Sequence, residues 1–281
     1  MSKRLRVLFW DVRVGGDRRL PLIERIDADV MLLLAVSTSS SRAWSQRWQG
    51  RWHAGAGLDL VESPQQRPHG AMIASRWPLR DVRVIDELPK PERGLVATTD
   101  HPEGPVTLVS WGTPNAAGEG RAAKEGAYAH MASLLPSLPT PLVVGVDTNS
   151  WYDPLTAGAL DDDPTIGQQH GFVGPDPAHG LVDVHGSLLE AQPDQARLVA
   201  DLRPHGPSAV TFVRRPHRSP RGIAGSFSAG RSWGLDRMDR LYVSPDITPL
   251  ACEHLWHEAL DAGGDHAAVV ADLGLHARAA A

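Results

Sequence analysis

The chain has 281 residues, 42% hydrophobic and 22% charged, a balance that supports a buried core and excludes global disorder. A formal net charge of −5 excludes a globally cationic nucleic-acid binder, and the length allows one large domain or two. No apolar run approaches the roughly 18 residues of a membrane span, and the basic start is followed only by the short apolar run 7–10, too short for a signal-peptide core, so a cytoplasmic protein is expected.

In chain order, short apolar runs bounded by glycine, proline or acid read as buried strands. They cover 5–12, 30–34, 71–75, 82–85, 95–99, 106–111, 142–147, 209–213, 238–243 and 267–273. Helical periodicity is clearest over 121–135, where Ala127, Met131, Leu134 and Leu135 share one face. Segments 18–26, 41–48 and 188–199 are weaker helical candidates, and 161–180 and 222–234 read as long loops. Loops of that length inside a compact domain are usually functional. Gly15 and Gly16 complete neither a GxGxxG nor a P-loop. Many strands without βαβ alternation argue against a doubly wound nucleotide-binding fold and predict two sheets packed face to face with helices outside.

A single cysteine, Cys252, excludes an internal disulfide framework and any cysteine-based zinc site. A lone cysteine is most often a small buried hydrophobe. The only lysines are Lys3, Lys90 and Lys124, so arginine dominates the 28 basic residues. Arg214, Arg215, Arg218, Arg221, Arg231, Arg237 and Arg240 are concentrated in one stretch. The planar guanidinium suits phosphate or carboxylate, and a solvated loop is an equally weighted reading of that stretch.

Polar residues recur where the apolar runs end: Asp11, then Asp147 with Asn149, then Asp239, then Asp265 with His266. A carboxylate at the end of a buried strand is costly unless it meets metal, proton or partner. Several converging at one sheet edge would suit a hard cation, although each alone reads as a turn or cap residue. Taken together, their order and local sequence resemble the endonuclease/exonuclease/phosphatase superfamily over about residues 5–273. The opening strand ends Phe9-Trp10-Asp11, and Gly70-Ala71-Met72-Ile73-Ala74-Ser75-Arg76-Trp77-Pro78-Leu79 is similar to that family's Gly-x-Ala-Ile-x-Ser-Arg-x-Pro-Leu run. Asp147-Thr148-Asn149, Arg237-Met238-Asp239 and Gly264-Asp265-His266 are similar to its Asp-x-Asn, Arg-Ile-Asp and Ser-Asp-His segments.

The resemblance implies an α/β (α+β) four-layer sandwich, two packed mixed sheets flanked by helices, formed as a single domain over 1–281. It implies that Asp147 orients or deprotonates the attacking water and that Asn149 holds a phosphate oxygen. His266 would donate to the phosphoryl oxygens while Asp239 fixes its tautomer. Asp265 would help to hold a divalent metal, Mg²⁺ or Mn²⁺, that neutralises phosphate charge. Four positions depart from the pattern. Leu34 and Ala35 stand where the second strand normally ends Gln-Glu, Gly112 stands for a histidine, and Asp11 for an asparagine. One carboxylate is therefore lost at position 35 and one gained at position 11. Either Asp11 takes over as metal ligand, or metal affinity and ordinary phosphodiesterase activity fall; loss of one preorganised ligand costs about 2–4 kcal/mol. The second reading is preferred.

Trp111, Trp151 and Trp233 fall beside motif or loop positions and could stack on a ring; Trp10 and Trp77 read as core. His69, His179, His185 and His217 read as satisfied surface histidines. The expected function is that of a divergent phosphoesterase-fold enzyme acting on a small or medium-sized anionic or aromatic substrate, by hydrolysis or acid–base chemistry. Asp147, Asn149, Asp239 and His266 would be catalytic, and Trp151, Trp233 and Arg237 would bind substrate. Asp11 and Asp265 would hold a weakly bound or absent metal. A surviving magnesium-dependent nuclease and a non-catalytic binding protein are the alternatives; nucleic acid is possible but not favoured.

Overall fold

The computed structural model describes residues 3–13, 16–61, 69–150, 168–174, 176–191, 212–213, 235–236 and 238–276. Elements are numbered along the chain. One six-stranded sheet contains β1 (Lys3–Asp11), β2 (Val30–Ser37), β3 (His53–Ala56), β4 (His69–Ser75), β13 (Ile247–Leu255) and β14 (Ala268–Leu275), in the order β13-β14-β1-β2-β4-β3. The other contains β5 (Leu79–Val84), β6 (Gly94–Thr99), β7 (Val106–Gly112), β8 (Leu142–Asp147), β9 (Val182–Asp183) and β12 (Asp239–Val243), in the order β5-β6-β7-β8-β12-β9. β10 (Phe212–Val213) and β11 (Leu235–Asp236) form a small separate ribbon. Both large sheets are mixed. β1 runs parallel to β2 and β7 parallel to β8, and the other pairs are antiparallel. Each parallel pair is joined through a helix: α1 (Leu20–Ile26) in the first case, α3 (Ala116–Glu119) and α4 (Arg121–Leu134) in the second.

The central strands carry near-continuous apolar stretches because both of their faces are covered. Phe9, Leu32, Ile73, Leu108, Val143 and Leu241 meet between the sheets. Leu8, Trp10, Met31 and Leu33 point the other way, under Ile23 of α1 and under Trp44 and Trp48 at α2 (Thr38–Arg47). On the far side Val109, Trp111, Val144 and Tyr242 pack under Ala127, Tyr128 and Met131 of α4 and Phe172 of α5 (Gln168–Val173). Three apolar layers thus hold helices, sheet, sheet and helices together.

Several expectations shift. α2 starts at Thr38, where Ser37 accepts a cap bond from Ser40 N at 3.2 Å, ahead of the predicted 41–48. α5 falls inside the segment read as a loop over 161–180, and α6 (Val184–Glu190) lies ahead of most of the predicted 188–199. The short strands β3, β9 and β11, the long strand β13 and the helix α7 (Trp256–Asp261) were not anticipated. β13 is an edge strand that alternates exposure and carries Pro249 at a register shift. Proline is tolerated there because an edge strand leaves some backbone N–H groups without a ladder partner, which is why its sequence does not read as a strand. The predicted loop 222–234 lies outside the described residues.

Candidate active site

Strand direction brings the singled-out residues to one edge of the sandwich. β1, β2, β7 and β8 all end there, with Asp11, Ala35, Gly112 and Asp147 at or near their last positions. β12 runs antiparallel to β8 and begins there, with Asp239 opposite Asp147. β14 runs antiparallel to β1 and is preceded there by His266. The turn leaving β8 is pinned from several sides. Thr113 donates through N and Oγ1 to Asp147 O at 2.9 Å, and Thr148 donates through N and Oγ1 to Met238 O at 2.8 Å. Lys124 of α4 reaches Asn149 O at 2.6 Å, and the Tyr128 hydroxyl donates to Thr148 O. Trp10 Nε1 donates to His266 O at 2.9 Å, which holds the histidine backbone against β1.

Asp11, Asp147 and His266 are buried, and each offers one donor atom within 4.8 Å of the others. His266 Nδ1 lies 2.8 Å from Asp239 Oδ2 in a fully enclosed pair. Burial opposes the charge on His266, but Asp239, Asp11 and Asp147 outweigh it and raise its pKa to about 10. The surrounding carboxylates favour its charged form, in which it is a hydrogen-bond donor. Asp147 is pushed up to about 7, first by burial and then by Asp239 and Asp11, so it is poised for proton exchange near neutral pH. Its oxygens accept from Asn149 N and Nδ2, both at 2.8 Å, and Asn149 Nδ2 also donates to Thr113 O at 3.0 Å. The Asn149 amide is therefore committed on both sides, one hydrogen to Asp147 and the other to the Thr113 carbonyl, and its backbone holds a left-handed φ of 46°.

A cavity of about 290 Å³ opens over this floor. Ala35 and Gly112 form part of its wall. Ala35 sits at a register shift between β2 and β4 with a left-handed φ of 52°. A Cβ at Gly112 would meet only Leu34, at an ordinary 3.5 Å, so packing does not demand glycine there. Arg13, His69 and Arg93 bring donors to the same cavity. Arg93 donates to His69 Nε2 at 2.8 Å and pairs with Glu119 of α3 at 3.4 Å. His69 is thus a cavity residue, not a surface histidine, and its place just before the Gly70-Ala71 run was the available signal. Arg93 had none. Asp265 carries a 2.8 Å ion pair with Arg13, whose backbone N donates to Asp11 Oδ1 at 2.8 Å. It stands outside the Asp11–Asp147–His266 group.

Trp111 is fully buried against Tyr128 and Phe172; it is a core residue and does not rim the site. β7 alternates, so Ser110 faces the other sheet, donating to Leu33 O at 3.0 Å, and Trp111 must face the helices. Trp10 is buried as expected, and Trp77 packs at the edge of the inter-sheet core. Trp151, Trp233, Arg237 and His217 lie outside the described residues, as do the other clustered arginines except Arg240, which is buried and pairs with Asp183 at 3.4 Å.

Two packed mixed sheets flanked by helices, with this polar edge, define the endonuclease/exonuclease/phosphatase fold. The solved structures the chain is similar to include an endonuclease/exonuclease/phosphatase from Beutenbergia cavernae, at 16% identity and TM-score 0.60, covering 97% of this chain and 72% of that one. TDP2 from D. rerio, complexed with a single-strand DNA product, is 14% identical at TM-score 0.62, with 97% and 100% covered. The 3′ phosphatase NExo from Neisseria, bound to a product DNA hairpin, is 18% identical at TM-score 0.61, with 95% and 98% covered. No family model and no curated protein matches the chain. Among the described residues no helix is long and apolar enough to cross a membrane.

Proposed function

We propose that the chain is a phosphoester-acting enzyme with a divergent site, and that its substrate is small or medium-sized and anionic. The observation that carries this reading is the buried Asp239–His266 pair placed beside Asp147 and Asp11. Asp147, oriented by Asn149, takes the proton of the attacking water. His266, kept charged by the surrounding carboxylates, donates to the phosphoryl oxygen, and Asp239 holds its ring. The donor chemistry fits a hard divalent cation: buried carboxylates crowd one edge, and an added positive charge relieves them. Asp11, with Asp147 beside it, would hold such an ion, and Asp265 would join only by leaving Arg13. When bound, Mg²⁺ or Mn²⁺ would supply Lewis-acid stabilisation of phosphate charge. Asp11 would thus replace only in part the carboxylate that Ala35 lacks.

The cavity volume and the donors of Arg13, His69 and Arg93 favour a compact anionic group over a long duplex, which needs an extended basic surface. Because two of the similar structures hold DNA, the test must include it. The experiment is turnover on aryl phosphomonoesters and diesters, terminally phosphorylated single strands and plasmid, with Mg²⁺ or Mn²⁺, for wild type and Asp147→Asn. The proposal expects metal-dependent turnover of a small phosphoester, reduced about 100-fold or more in the variant. Plasmid nicking lost in Asp147→Asn would replace the small-substrate reading with a nuclease. No turnover of any phosphoester would leave a binding protein and sink the proposal.

A further inference from the structure

A second cluster of ligating side chains shares no residue with the carboxylate–histidine edge. Cys252 and His254 stand two residues apart on β13, so the two-residue repeat of a strand turns them to the same face. α6 packs against that strand and contributes His185 from its first turn. The His185 and His254 rings meet edge to face with centroids 4.6 Å apart. The Cys252 sulfur and one nitrogen of each imidazole lie within 4.8 Å of one another. Counting cysteines alone excludes a cysteine-based zinc site; the fold supplies further ligands, His254 from the same strand and His185 from a separate helix.

We propose that His185, Cys252 and His254 form a binding site for a borderline or soft transition-metal ion of the zinc type. One thiolate and two imidazoles select such an ion over magnesium, which prefers oxygen. A tetrahedral centre with bonds of about 2.0–2.3 Å places its donors about 3.3–3.8 Å apart, a spacing side-chain rotation can reach from within 4.8 Å. All three residues are half-buried, and a water molecule would supply the fourth ligand. Binding breaks the Cys252 S–H bond, forms the S–metal bond and releases the proton to solvent. Because α6 and edge strand β13 each contribute ligands, the ion would tie the helix to the sheet.

The test is titration of Co²⁺ into the reduced full chain, in excess Mg²⁺, followed by thiolate-to-cobalt charge-transfer absorption. Cys252 is the only cysteine, so this band reports the proposed site and nothing else, whatever binds at Asp11 and Asp147. The expected result is one equivalent per chain, displaced by Zn²⁺. The band should vanish in Cys252→Ser, and affinity should fall at least about tenfold in His185→Ala and in His254→Ala. Zn²⁺ should also raise the thermal unfolding midpoint of wild type but not of Cys252→Ser. Absence of the band at saturating Co²⁺ in wild type overturns the proposal without reference to any variant. Unchanged affinity in both histidine variants, or half an equivalent shared between two chains, overturns it as well.

Discussion

Asp147 and Asp239 face each other directly across β8 and β12, a pairing of like charges that weakens a sheet by itself. The bond from His266 to Asp239 offsets it, so the pair and the histidine act as one unit. Asp239→Asn and His266→Ala should therefore each lower kcat/KM by about 10²–10⁴, and the double variant should be no worse than the poorer single one. Losses that multiply would show two independent groups. At position 35 the backbone already holds a left-handed φ with alanine, so a larger L residue adds little strain. Its side chain would enter the cavity wall near Asp11. Ala35→Glu should tighten Mg²⁺ binding about tenfold by calorimetry, about 1.4 kcal/mol. Tight wild-type binding that the change does not improve would mean that Asp11 compensates fully.

The short helix α5 and the turn after it are held by a histidine that sequence reading placed at the surface. His179 is buried; its Nε2 lies 3.0 Å from Phe172 O, and Leu181 N donates to its Nδ1 at 3.0 Å. That geometry requires the neutral ring with its hydrogen on Nε2, since protonation would turn Nδ1 into a second donor facing an N–H. Burial drives its pKa down to about 4. The unfolded chain takes up the proton near its ordinary value of about 6.5 while the native one does not. The stability this contributes is complete above about pH 6.5 and is lost as pH falls towards 4, in total about 3 kcal/mol. Denaturant unfolding from pH 7 to 4 should show the advantage of wild type over His179→Gln shrinking across that window. A constant difference would place the acid sensitivity elsewhere.

At the scale of the whole molecule, the two sheets come close together where Gly145 of β8 meets Phe9 of β1 and Leu32 of β2. A Cβ at Gly145 would come within 2.3 Å of the Phe9 ring and 3.1 Å of Leu32 Cβ. Gly145→Ala should destabilise the protein by about 1–3 kcal/mol by overpacking, read as a lower denaturant midpoint. Phe9→Leu in the same chain should recover part of that loss. If Gly145→Ala is neutral, the sheets can separate there at little cost, and the close approach does not set the spacing of the site edge.

Continuous apolar runs, the face of α4 and the spaced polar residues at strand ends were all readable in the sequence, because each is a local pattern. So was the expectation that Ala35 and Gly112 stand in place of a glutamate and a histidine, since it needs only the motif around each. Which way a strand's two faces point is not local: Trp111 reads as a rim residue from its place in the motif until the helix it packs against is placed. The same holds for the ion pair of Asp265 with Arg13, the cavity role of Arg93, and the meeting of His185 with Cys252 and His254. Those contacts join residues far apart in the chain, and an edge strand such as β13 carries too little apolar periodicity to announce itself. The sequence by itself determined the layers and most of the chemistry-bearing residues; strand direction and sheet packing decided which of them share an edge, and therefore what they can do together.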